Sequence, residues 1–139
     1  MLLFCACKGG RRAAHTGPPV SDVEFAKEVL RLLVEGDEEV TDMIDWEHLI
    51  LQGNVDAGAK YREAAKDDVA DSFTKAFISS FSSSYKRGGG DADLYFNWRE
   101  QSRDSSSTIV AADGRNGRVL LMTVTHVNGQ QKVSAIDIK

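Results

Sequence analysis

The residues best suited to chemistry sit together in Asp45-Trp46-Glu47-His48. A carboxylate beside an imidazole can serve as a general base, and an indole can wall the pocket where it works. Asp45 or His48, placed in a cavity, would suit an isomerase- or lyase-like proton transfer. On a helix, however, consecutive side chains point about 100° apart, so Glu47 and His48 do not converge on one atom. The tetrapeptide also has a plainer reading, in which Trp46 anchors the core, Asp45, Glu47 and His48 face water, or Asp45 caps a helical piece. His15 and His126 are the other histidines, and three imidazoles scattered over three elements leave no metal-ligand spacing. Cys5 and Cys7 form a terminal pair without nearby histidines, which is not a metal motif. Ser79, Ser80, Ser82, Ser83 and Ser84 have no histidine at a useful distance, so none reads as a nucleophile. We assign no catalytic residue, no metal and no cofactor from these motifs.

The elements that must position these residues are legible from periodicity. Ser21-Asp22-Val23-Glu24 is a capping box, Phe25, Val29, Leu30, Leu32 and Leu33 follow at helical spacing, and Gly36 closes the helix. Asp37 opens a second helical stretch, predicted to run to Leu51 and to end at Gln52-Gly53-Asn54. Residues 57–87 predict one long helix, with Ala65, Val69, Phe73, Phe77, Phe81 and Tyr85 as a stripe in steps of four. Gly88-Gly89-Gly90 ends it and is a turn, not a phosphate loop, because no Gly-Lys-Ser/Thr follows.

Four strands follow: 94–99, 107–112, 118–127 and 130–138. Asn128-Gly129 predicts a two-residue hairpin loop that pairs Val127 with Gln130. Unbroken alternation from there puts Leu120, Met122, Val124, Val133 and Ala135 on one face, with His126, Gln131 and Asp137. Val119, Leu121, Ile136 and Ile138 fall on the other. On this register His126 and Asp137 are roughly 20 Å apart and form no acid–base pair. The predicted fold is α+β, with N-terminal helices and one long aromatic-striped helix packed on a curved four-stranded antiparallel meander.

The chain has 139 residues, 42% of them hydrophobic and 27% charged, which fits one globular domain in residues 21–139. Lys8, Arg11 and Arg12 contribute +3 to a net −4, so that domain carries −7. An acidic domain is not a nucleic-acid surface, which needs a basic stripe. No apolar run is long enough to cross a bilayer as a helix.

Met1-Leu2-Leu3-Phe4-Cys5-Ala6-Cys7 resembles the truncated end of a bacterial lipoprotein signal, in which a small residue precedes the lipidated cysteine. The resemblance implies that residues 1–20 are signal and tether, that Cys7 carries the lipid, and that contact with the membrane is through this anchor alone. It places the domain in a bacterial cell envelope, lipid-anchored or periplasmic; an unprocessed cytoplasmic tail is the alternative. The order of helices and meander, with Gly129-Gln130-Gln131-Lys132-Val133-Ser134-Ala135-Ile136 as the last hairpin, resembles the cystatin-like α+β roll of the nuclear transport factor 2-like superfamily. That resemblance implies a conical cavity between sheet and helices, in a superfamily of small isomerases and dehydratases, ligand carriers and domains without a known reaction.

The expected function is a non-enzymatic envelope domain that binds a small apolar ligand or a protein partner. Trp46, Tyr61, Phe77, Trp98 and Met122 are the expected cavity lining, because a mainly apolar cleft is what such binding needs. The alternatives are the enzyme using Asp45 or His48, and a structural module that forms a homodimer through a patch at Val119, Leu121, Ile136 and Ile138.

Overall fold

Ser21 and Gly36 bound the first helix as their chemistry requires. In the computed structural model, which describes residues 20–91 and 93–139, helix α1 spans Asp22–Glu35. Ser21 Oγ accepts from the Glu24 amide at 3.1 Å. Gly36 adopts a left-handed φ of 70°, which lets its amide reach the carbonyls of Leu32 and Leu33. The helix buries Phe25, Ala26, Val29, Leu30, Leu32, Leu33 and Val34, too many for a single stripe. It is apolar on two sides because it is covered on two sides.

The segment after Gly36 departs from the expected helix. It forms two short 3₁₀ turns, Glu38–Met43 and Trp46–His48, the first capped by Asp37. Between them Ile44 is extended and bridges Val133 in parallel, and the Asp45 amide donates to the Val133 carbonyl at 2.9 Å. Pairing with the sheet has removed those groups from a helical ladder. Strand β1 (Ile50–Leu51) continues this and pairs in parallel with Ala135 and Ile136. Gln52 and Gly53, both at positive φ, turn the chain into β2 (Val55–Asp56), so the expected helix stop is a hairpin turn.

The long helix is broken. Helix α2 is Ala57–Lys66 and α3 is Ala70–Arg87, with Asp68 at φ 63° between them. Two consecutive aspartates are poor helix formers, and Asp tolerates the left-handed region. Val69 thereby leaves the aromatic stripe and is exposed.

Strands β3 (Tyr95–Arg103), β4 (Ser107–Gly114), β5 (Val119–Val127) and β6 (Gln130–Ile138) form the expected meander. With β1 and β2 it makes a six-stranded mixed sheet, ordered β2-β1-β6-β5-β4-β3, rather than four antiparallel strands. Helix α1, not the long helix, lies across β3 to β6, and α3 packs on α1. The seam on α3 is Thr74, Ile78 and Ser82, where small residues allow a close approach. Ser82 Oγ donates to the Val34 carbonyl at 2.7 Å.

The β5–β6 register follows the Asn128-Gly129 turn only as far as Val124 opposite Val133. Thr123 then pairs with Ala135, which leaves Ser134 as an extra residue. This bulge reverses the alternation beyond it. Ile136 is buried in the core and Asp137 lies opposite Leu121, so Ile136 does not belong to a dimerisation patch with Val119 and Leu121. Among the described residues no helix is long and apolar enough to cross a membrane.

Candidate ligand cleft

The four-residue spacing on α3 places Phe73, Phe77, Phe81 and Tyr85 in line, one position before the buried seam and turned to its side. All four are half-buried against the core. Trp46 meets the N-terminal part of this line, its indole N–H satisfied by the Thr41 carbonyl at 2.9 Å. Its ring lies 6.2 Å from Tyr61, stacked, and 5.2 Å from Phe77, edge to face. Phe81 stacks on Phe77 at 6.3 Å and on Tyr85 at 6.1 Å, and Tyr95 of β3 follows Tyr85 at 6.5 Å. The rings form one ladder from the Trp46 turn to the sheet.

The ladder ends at an open cleft of about 450 Å³. Tyr85, Leu94, Tyr95 and Ile138 supply its apolar wall, and Gln52, Ser84, Asn116 and Arg118 its polar rim, with Gly88 and Gly90 at the mouth. A Cβ on Gly90 would come within 2.4 Å of the Tyr85 ring, so glycine is what lets that ring lie flat there. The Tyr85 hydroxyl donates to the Asp91 carbonyl at 3.0 Å. Burial pushes the Tyr85 phenol up, with Tyr95 and Asp91 adding to the shift and Arg115 opposing it. Burial also raises Tyr95, against the Asn116 hydrogen bond and the Arg118 charge. Both phenols stay neutral near pH 7. Arg115 is occupied by Asp91 at 2.8 Å and by the Asp93 carbonyl.

No protein family, curated protein or solved structure matches this chain. Function must be read from the geometry. Of the five residues expected to line a cavity, Trp46, Tyr61 and Phe77 come together in the ladder. Trp98 lies instead on β3, in a separate groove of about 650 Å³ against α1. That groove carries Glu24, Lys27, Glu28 and Arg31, a mixed-charge surface that the ladder meets only at its last ring, Tyr95. Met122 is 0% exposed; it points from the middle of β5 into the core and has no surface to offer a ligand. Residues Leu94, Arg118 and Ile138 were not anticipated, because the cleft mouth is assembled from four separate stretches of chain.

The acid–base candidates are a surface pair. Both Asp45 carboxylate oxygens lie 3.0 Å from His48 Nδ1, yet the His48 side chain is 70% exposed and lines neither the cleft nor the groove. A second imidazole–carboxylate contact is more enclosed. Asp22, its side chain 5% exposed, accepts from His126 Nε2 at 2.9 Å, Gln131 Nε2 at 2.8 Å and Thr108 Oγ1 at 2.6 Å. Arg103 approaches at 3.8 Å. Burial pushes this carboxyl up, but the bonds from Thr108, Gln131 and His126, with the charge of His126, outweigh it and hold it below the ordinary carboxylate range. Its acceptor sites are used by protein donors, which makes it a clasp between α1 and three strands. Among the described residues no cluster of His, Cys, Asp or Glu could hold a metal ion. Cys7 lies outside the described residues.

Proposed function

We propose that this domain is a non-catalytic binding domain for a small, mainly apolar molecule, held in the cleft between the end of α3 and the sheet. The observation that carries this reading is the half-buried aromatic ladder that opens into that cleft. The cleft's size falls within the usual range for ligand sites, roughly 300–1,000 Å³. Tyr85, with Leu94 and Ile138, gives an apolar body a surface to lie on, Phe81 and Phe77 back the Tyr85 ring in the ladder, and Tyr85 and Tyr95 add neutral hydroxyl dipoles. Proton-transfer chemistry finds less support, since Asp45 and His48 stand outside the cleft and Asp22 is occupied by its partners. On this reading the lipoprotein-like Ala6-Cys7 pair tethers a ligand carrier to the bacterial envelope.

The test uses the neutral fluorophore N-phenyl-1-naphthylamine, titrated against wild type, Ser84→Gln and Leu94→Gln. Ser84 is an exposed helix position, so glutamine there lays a longer side chain over the mouth without touching the core. Both variants should weaken binding at least about fivefold, the scale of losing part of one apolar contact. Saturable wild-type binding that neither variant changes would overturn the proposal, as would no binding at all.

A further inference from the structure

The cleft differs in charge from the rest of the molecule. Residues 21–139 carry a net −7, yet the residues lining the cleft include one cation, Arg118, and no acid. Among the described residues the Arg118 guanidinium makes no hydrogen bond or ion pair, whereas Arg115, three positions earlier, is bound by Asp91. The backbone between them explains the difference. Asn116 Oδ1 accepts from the Arg118 amide at 3.0 Å, and Gly117 turns the chain at a φ of 83°. The two arginines therefore leave the turn separately, Arg115 towards Asp91 and Arg118 towards the cleft rim. The C-terminal carbonyls of α3, which would repel an anion at this edge, are covered by the amides of Gly88, Gly89 and Gly90.

We infer that the cleft selects an anionic amphiphile, a molecule with an aromatic or aliphatic body and one carboxylate- or sulfonate-like group that pairs with Arg118. This rests on the cleft being the binding site. The body lies along Tyr85, Tyr95 and Ile138, and the anion sits at the rim, where Arg118 can meet it with a planar pair of donors. Because the rim is solvated, the arginine contributes selectivity more than affinity.

Two probes with one aromatic body separate the possibilities: 1-anilinonaphthalene-8-sulfonate, which is anionic, and N-phenyl-1-naphthylamine, which is not. Titrations use the full chain, with circular dichroism melts to show that each variant is folded. Arg118→Met should weaken the sulfonate about fivefold at low salt and leave the neutral probe within about twofold. The wild-type sulfonate affinity should fall at about 0.5 M NaCl, as a partly exposed ion pair requires. Lys86→Met, which removes the same charge from the nearby helix end, should have a smaller effect. Equal losses for both probes in Arg118→Met, or none for either, would overturn the inference while leaving the cleft in place. If Ser84→Gln and Leu94→Gln alter neither probe, the cleft itself is the wrong site and the anion preference falls with it.

Discussion

Replacing Asp22 with alanine should be among the most damaging polar substitutions available in this domain. The carboxylate holds α1 to β4 through Thr108, to β5 through His126 and to β6 through Gln131. Loss of a charged acceptor costs about 1.5–3 kcal/mol. Thr108, 1% exposed, would keep a buried hydroxyl without its partner, for about 1–3 kcal/mol more. His126 and Arg103 reach water and can be rehydrated, so they add little. An acidic residue in the first turn also interacts favourably with the positive end of the helix dipole, worth about 0.3–1 kcal/mol. These contributions overlap, and we expect Asp22→Ala to cost about 3–5 kcal/mol, much of the stability of a domain this size. Asp22→Asn keeps one acceptor oxygen for His126 and Gln131 and can donate to the Thr108 hydroxyl, so its cost should be about 1–2 kcal/mol. Thr108→Val removes one donor and leaves an apolar isostere, for about 1 kcal/mol.

The pH dependence follows in sign. The folded-state pKa of Asp22 lies below its ordinary value of 3.8. The carboxylate therefore contributes its full stability above that value and loses it as the pH falls through the folded-state value. Urea titrations followed by circular dichroism, at pH 7 and at steps below pH 4, measure both effects. Asp22→Asn should flatten the acid limb of the stability profile. The reasoning is refuted if Asp22→Ala lies within about 0.5 kcal/mol of wild type, or if Asp22→Asn keeps the wild-type acid limb.

Two further outcomes test the packing. Gly58→Ala should destabilise by at least about 2 kcal/mol in a thermal melt although alanine favours helix by about 1 kcal/mol, because its Cβ would lie 2.3 Å from the Glu47 carbonyl oxygen; a raised melting temperature would contradict this placement of α2. Ile78→Ala, at a position 1% exposed on the α1 seam, should cost about 2–5 kcal/mol in urea. Phe77→Ala should cost less and instead shift the emission of Trp46, and the reverse ranking would put the aromatic line, not Ile78, on the seam.

Local chemistry in this chain was legible because its causes lie within a few residues. Ser21, Gly36 and Asn128-Gly129 define their caps and turn whatever surrounds them. The stretch 37–51 was not, because its apolar residues suit a helix or a strand equally, and pairing with Ala135 and Ile136 decided the outcome. The aromatic stripe was evident, but the side it faces was not: Thr74, Ile78 and Ser82 do not look like a core seam until Val34 and Gly36 are placed against them. Trp46, Tyr61 and Phe77 could be picked out by type. Arg118, Leu94 and Ile138 could not, since only the tertiary fold brings their segments together. The Asp22 clasp had one visible cue, the pairing of His126 with Gln131 at the last hairpin, but no local pattern pointed from them to Asp22.

Ser134 shows how one residue reaches the cleft. With unbroken alternation from Val133, Ala135 and Asp137 would face inward, and Ile136 and Ile138 outward. The bulge instead puts Ile138 opposite Leu120 and into the cleft wall, and turns Asp137 out beside Leu121, where Lys139 pairs with it at 3.4 Å. An inward carboxylate at this end of β6 would have stood near Arg118 and competed for it. The inserted residue therefore gives the cleft an apolar wall and keeps the arginine at its rim without an acidic neighbour in the lining, the two properties that an anionic amphiphile requires.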